Sequence, residues 1–366
     1  MILGGSTSLF ILCSLFIKDK LYLGEVLVAS IVGVIFGPNA LNVFNPLTWG
    51  HTESVILELS RIVLVVQCFA TGVELPKAYV ERQWRSIFIL VVPIMTVAWL
   101  VTSLIIWGLI RPLRWLDSLV CAARLMTTDL VLASFAVGKG GKMSRRMPIH
   151  LSRILLAESG ASDGMASILL NFTLNVYVHR TNIGQIMKFW IPRAILYECL
   201  SAIVVGFVIG YIGRRLIKRA HRSDIINKES FLVFYFVLAI FCAGLGSTLG
   251  MNDVVIGFAA NVGFSNDGWF AVVKSESHIS DVINLLLNLA YFVFLGSLIP
   301  WSQFNDHRLG LTAWRVVVAV IMILLLRRIP ILPVFHKIGI PDIKTYREAL
   351  FAGHFCLIGV GAIFAS

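Results

Sequence analysis

Long apolar runs separated by short polar punctuation extend along the chain from end to end. A helix that crosses the hydrocarbon of a bilayer needs about 20 mostly apolar residues, and fewer where it is buried among other helices or broken. Twelve segments fit, centred on residues 2–17, 24–36, 55–71, 87–110, 116–136, 154–178, 190–212, 231–250, 254–264, 283–299, 312–326 and 349–365. The pattern therefore predicts an all-α polytopic membrane protein. The ninth segment is short for a span, and polar or glycine residues interrupt the fifth, sixth and twelfth. In membrane proteins such interruptions gather where ions and substrates bind.

The placement of Lys and Arg tests this segmentation, because cytoplasmic loops collect positive charge. Counted with the first turn of the segment that follows, loops after odd-numbered segments hold 22 of these residues, against 7 after even-numbered ones. A miscounted helix would mix the two sets, so the odd loops read as cytoplasmic and the N-terminus as external. Composition agrees: 58% of residues are hydrophobic and 14% charged, well below the roughly 25% charged of a soluble domain. The net charge of +11 fits topology and lipid headgroups better than nucleic acid, since no basic stripe is interleaved with stacking aromatics. No polar linker of domain size divides the chain, which reads as one membrane domain over residues 1–366. Cys13, Cys68, Cys121, Cys199, Cys242 and Cys356 stand singly in or beside apolar segments, so neither a disulfide framework nor a zinc site is expected, and no cofactor. The first segment lacks a basic n-region and a small-residue cleavage site, and reads as a helix.

Carboxylates within spans carry the candidate chemistry. Each costs roughly 3 kcal/mol or more at the bilayer centre, so it persists where it faces a cavity or a partner. In the fifth segment Thr127-Thr128-Asp129 interrupts an apolar run. In the sixth, Ala157-Glu158-Ser159-Gly160-Ala161-Ser162-Asp163-Gly164 packs two acids, two hydroxyls and two glycines into one helical stretch. Glu158 and Asp163 are five residues apart and point about 140° away from each other, so they need different partners. The eleventh segment ends in Arg327-Arg328. Arg327 is expected to snorkel to the headgroups, while Arg328 can turn inward towards Glu158. Asn252-Asp253 lies between the eighth and ninth segments, where an extracellular turn and an ion-access role are both open. Gly160-Ala161-Ser162-Asp163-Gly164 also fits the GxSxG pattern of serine hydrolases, a remote alternative, because that chemistry requires a strand-to-helix elbow. Gly244-Leu245-Gly246-Ser247-Thr248-Leu249-Gly250 misses the nucleotide-binding spacings and reads as close helix packing.

From about Leu15 to Ser366 the chain resembles the fungal plasma-membrane Na⁺/H⁺ antiporters of the cation/proton antiporter superfamily. The resemblance rests on Phe36-Gly37-Pro38, Phe44-Asn45-Pro46-Leu47-Thr48-Trp49-Gly50, Val73-Glu74-Leu75-Pro76, Ala157-Glu158-Ser159-Gly160, Leu196-Tyr197-Glu198-Cys199-Leu200, Asp267-Gly268-Trp269-Phe270, Ile299-Pro300-Trp301-Ser302 and Arg327-Arg328-Ile329-Pro330. It implies an inverted-repeat fold in which the fifth and twelfth helices are broken and cross near the midplane. It further implies a core (about 87–178 and 312–366) that rocks against a dimerisation scaffold (about 1–71 and 190–299). Thr128 and Asp129 would occupy the crossing, and Asp163 would bind cation and proton in competition. Glu158 would pair with Arg328, and Na⁺ or K⁺ would sit transiently at Asp163 with oxygen ligands from Thr128, Ser159 or Ser162. The implied activity is export of Na⁺, Li⁺ or K⁺ in exchange for H⁺, by an integral protein of the plasma membrane among its lipids, as a homodimer.

Four positions depart from the family pattern. Thr128-Asp129-Leu130 stands for Thr-Asp-Pro, Ser162-Asp163 for Asn-Asp, Asn252-Asp253 for Asp-Asp, and Cys356-Leu357 for Gly-Pro. Family members also continue through a thirteenth helix and a hydrophilic tail, whereas this sequence ends at Ser366. A transport-inactive paralogue or regulatory partner is therefore the alternative to an active exchanger.

Overall fold

The computed structural model describes residues 4–5, 25–73, 75–128, 148–179, 183–223, 226, 228–269, 279–301, 304 and 312–355. Its main elements are helices: α1 (Glu25–Phe36), α2 (Thr52–Val73), α3 (Trp84–Leu109), α4 (Trp115–Arg124), α5 (Ile149–His179) and α6 (Ile183–Arg222) come first. They are followed by α7 (Lys228–Leu249), α8 (Asp253–Ser265), α9 (Ile279–Ser297), α10 (Ala313–Leu326), α11 (Ile331–Gly339) and α12 (Tyr346–Phe355). Each predicted segment from the second to the twelfth falls on one of these helices. The first lies outside the described residues apart from Gly4 and Gly5, as do the latter parts of the fifth and twelfth, where the predicted crossing would be. The short helix α11 was not predicted; it follows a break at Arg327–Pro330.

Local chemistry accounts for the irregularities. Pro93 inside α3 lacks an N–H and crowds the preceding turn, and the backbone responds with a π turn over Leu90–Ile94. Pro192 lies at the start of a longer π stretch, Ile191–Ser201, within α6. Asn252 caps α8 by accepting the Val255 N–H at 3.0 Å.

Buried apolar side chains form two clusters. One joins α3, α4 and α5 to α10, α11 and α12 through residues such as Leu90, Ile94, Trp99, Met126, Ile154 and Leu332. The other joins α1, α2, α6, α7, α8 and α9 through Val65, Phe69, Tyr235, Ile256, Phe264 and Tyr291. Lipid tails are as apolar as these side chains, so association relies on close packing, and small residues permit it. A Cβ on Gly206 or Gly210 of α6 would run into the carbonyl oxygens of Ile256 and Ala260 in α8, and one on Gly263 would come within 2.5 Å of the Phe207 carbonyl. Gly33 and Gly296 provide the same close approach between α1 and α9. The two clusters meet along α5, where a Cβ on Gly160 would lie 2.5 Å from the Phe258 ring and one on Gly164 2.6 Å from Val255 Cγ2.

At the end that the charge pattern places in the cytoplasm, Asp267 follows α8 and receives Lys218 and Arg214 of α6, the latter at 3.9 Å. Burial alone would push the Asp267 carboxyl up. Hydrogen bonds from Lys218 and the Trp269 N–H, with the two basic charges, outweigh it and hold the group below its ordinary value. Lys218 also sits 5.3 Å from the Trp269 ring centre.

Two predictions follow from these contacts. Gly210→Ala should lower the unfolding temperature of the detergent-solubilised protein, by an overpacking cost of about 1–3 kcal/mol. Gly108→Ala, built into open space, should leave it unchanged or slightly higher. Because the folded state depresses the Asp267 carboxyl, its stabilisation is complete above the unfolded value of about 3.9 and is lost as pH falls through the lower folded one. The stability gap between the parent and Asp267→Asn should therefore be full at pH 6 and close on acidification below about pH 4; a gap that widens there would contradict the assignment.

Candidate functional site

Helix α5 runs without interruption over 31 residues and buries Glu158, Ser159, Ser162 and Asp163. The helical period sends the two acids to different neighbours. Asp163 lies between the two glycines that meet α8, within electrostatic reach of Cys68 on α2. The Cys68 thiol is itself 3.7 Å from the Gly160 carbonyl. Glu158 faces the break between α10 and α11.

The second component arrives from α4. That helix ends at Arg124, and the chain passes through Thr127 to a buried Thr128. The Thr128 N–H points at Ser162 Oγ at 3.3 Å, and the two hydroxyl oxygens are 2.8 Å apart. Ser162 donates its single proton to the Ser159 carbonyl at 2.8 Å, so between the hydroxyls Thr128 must be the donor. This order leaves the lone pairs of Thr128 Oγ1 as acceptors. Ser159 donates to the Leu156 carbonyl at 3.0 Å. Of the predicted ligands, Thr128 and Ser162 thus meet directly, Ser159 joins through its carbonyl, and Asp163 follows Ser162 on the helix. Asp129 lies outside the described residues.

Arg327 and Arg328 tie these parts together. Arg328 Nη2 donates to Glu158 Oε1, with both side chains buried. Arg327 departs from its expected course. Instead of snorkelling it is 4% exposed, and its Nη2 donates to the Met126 carbonyl at 2.7 Å. The reason lies at the end of α4, whose last carbonyls lack helical partners and, once buried, require a donor. The neighbouring turn leaves no room to retreat, since a Cβ on Gly353 of α12 would lie 2.9 Å from Ile329 Cα. The two arginines therefore clip the exit of α4 to α5.

Asn252-Asp253 forms a half-buried to buried turn. Besides capping α8, Asn252 donates to Ser167 Oγ of α5 at 2.8 Å. Asp253 is buried and pairs with Arg61 Nε of α2 at 2.6 Å, and Arg61 also reaches Glu58 at 2.6 Å. Sequence reasoning missed Arg61, although an arginine between Leu59-Ser60 and Ile62-Val63-Leu64 is the signal that flags a buried partner. It also missed the buried Gln67–Asn288 contact, which joins α2 to α9. The serine-hydrolase alternative does not survive: Ser162 sits in the middle of a continuous helix with its proton given to a backbone carbonyl, not on the exposed elbow that a nucleophile requires.

Comparison with known proteins places this arrangement. The sequence pattern described as "Sodium/hydrogen exchanger, transmembrane" matches residues 6–366. The chain is 48% identical over 363 residues to a probable Na⁺/H⁺ antiporter of Schizosaccharomyces pombe, covering 99% of this chain and 47% of that protein. It is 49% identical to a Na⁺/H⁺ antiporter of Saccharomyces cerevisiae over 99% of this chain and 36% of that one. A second Schizosaccharomyces pombe Na⁺/H⁺ antiporter is 35% identical over all of this chain and 77% of its own length. The chain thus spans less than half the length of the first two relatives. The solved structure of a sodium proton antiporter from Methanocaldococcus jannaschii superposes with a TM-score of 0.73 at 17% identity, covering 99% of this chain and 83% of that one, and so shares the fold. With its sequence matched almost end to end and its helices arranged in that fold, the chain belongs to the transmembrane sodium/hydrogen exchanger family.

Proposed function

We propose that this chain carries out monovalent-cation/proton exchange, with Asp163 as the group that holds either ion. The observation that carries the reading is the Thr128–Ser162 hydroxyl pair, anchored on the Ser159 carbonyl, next in sequence to a buried carboxylate on α5. A carboxylate at this depth is costly while charged, and a proton or a small cation relieves that cost. The two neutralising ions compete for one group, so loading one releases the other, which is exchange. The lone pairs left on Thr128 Oγ1, joined to the Asp163 carboxylate, suit Na⁺, Li⁺ or K⁺, with Ser162 orienting Thr128 and the Ser159 carbonyl orienting Ser162.

In this reading Asp129 shapes the crossing rather than carrying the ion. The Glu158–Arg328 pair and Arg327 hold α4 and α5 in register while the site changes sides. The two apolar clusters support a division into a core (about 87–178 and 312–366) and a scaffold (about 1–71 and 190–299). Export from the cytoplasm, residence in the plasma membrane and assembly as a homodimer extend the same reading. The names of the relatives support the ion pair exchanged, Na⁺ for H⁺.

The decisive test is cation efflux from antiporter-deficient cells expressing the chain or its Asp163→Asn form. The parent should export Na⁺ or Li⁺ in response to an inward proton gradient and the variant should fall to background. Equal background efflux from both would reject exchange and leave a regulatory or inactive role. Arg328→Glu should destabilise the protein by about 3–5 kcal/mol, the scale for an uncompensated buried charge. Adding Glu158→Arg should recover part of the loss in a detergent melting assay, and no recovery would count against the pairing as a support.

A further inference from the structure

A polar stripe leaves the site along α5. Asp163, Ser167 and Asn171 recur at every fourth position, which places them on one face of the helix. Asn171 lies about 12 Å from Asp163 along the axis, towards the end that the charge pattern makes external. Each member beyond Asp163 engages a different helix. Ser167 accepts from Asn252 Nδ2 at 2.8 Å, and Asn171 Nδ2 donates to Glu198 Oε2 on α6 at 2.6 Å. Arg193 Nε is 3.5 Å from the other Glu198 oxygen. The backbone supports the junction too, since the Asn252 N–H donates to the Glu198 carbonyl at 3.1 Å.

Exposure is lowest at Asp163 and highest at Arg193, with the members between them intermediate. Asp163 is buried, Ser167 and Asn171 are half-buried, the Glu198 side chain is 20% exposed and that of Arg193 is 83% exposed. Glu198 stands in the π stretch Ile191–Ser201, and irregular turns of this type often accompany functional sites. An apolar residue would satisfy packing at such a junction. A carboxylate bonded to an amide on the carrier helix and balanced by one exposed arginine does more, because it sets the sign of the field along the stripe.

We infer that Glu198 is the outer carboxylate of an external access path to Asp163, lined by Asn171, Ser167 and Asn252, and that it concentrates monovalent cations at the mouth of that path. Arg193 limits the effect by offsetting the charge. This inference rests on the exchange reading, in that Asp163 is the terminus of the path.

The test uses opposite charge changes and sided kinetics on the full chain. Glu198→Gln keeps an amide oxygen for Asn171 while removing the charge. It should raise the apparent KM for external Na⁺ about threefold or more and leave the KM for cytoplasmic Na⁺ unchanged. Arg193→Ala should lower the external KM. A purely structural role predicts that both variants lose Vmax and abundance without sidedness, and that result would overturn the inference. A second measurement needs no transport. Ser167→Cys and Asn171→Cys should react with an external, membrane-impermeant cationic methanethiosulfonate above the level of the parent chain, and Leu169→Cys, buried in the apolar cluster, should not. Glu198→Gln should slow that reaction for the cationic reagent relative to a neutral one of similar size. Absence of labelling at both positions, or an unchanged reagent ratio, would sink the proposal. Should the parent chain carry no cation flux, the exchange reading falls, while the labelling ratio still decides whether the path exists.

Discussion

A carboxylate in the middle of a membrane helix has no water to hold its charge, and the surroundings of α5 follow from that constraint. Glu158 is matched by the Arg328 guanidinium, and both side chains are buried. Asp163, on another face of the same helix, is buried directly after Ser162, the residue that meets Thr128. One helix therefore carries two buried acids in unlike surroundings, separated by helical phase. The distinction depends on α5 remaining an unbroken helix, since a one-residue slip would rotate both acids by about 100°.

The arginines show how a break in one helix is stabilised by a break in another. Where α4 stops, Met126 exposes a carbonyl to the protein interior; where α10 stops, Arg327 supplies the donor. Neither end would be tolerable alone, because a buried unpaired carbonyl and a buried unpaired guanidinium are both costly. Their meeting satisfies both, and the adjacent Arg328 carries the connection on to α5.

Much of this was legible in the sequence, for identifiable reasons. Spans announce themselves because the bilayer demands long apolar runs, so even the short α8 could be placed by charge sidedness. The pairing of Glu158 with an inward Arg328 was readable as a need for a partner. What could not be read was which way Arg327 turns, since snorkelling and inward capping begin from the same residue at the same helix end, and only the position of the α4 terminus decides between them. Arg61 was overlooked because its partner Asp253 is nearly two hundred residues away and looked like part of a turn. Helix α11 escaped because its run is too short and too close to a proline to register as a span.

The glycine contacts differ in kind from one seam to the next, and the difference is mechanical. Between α6 and α8 glycine meets backbone carbonyl, and a seam made of main chain has no rotamers to rearrange. Those two helices can shift only by clearing a whole ridge, so they behave as one stiff plate. Between α5 and α8 glycine meets the side chains of Phe258 and Val255, which can swing aside by small torsional steps. Sliding is therefore cheaper along α5 than between α6 and α8, and the helix that carries Asp163 borders the softer of these two seams.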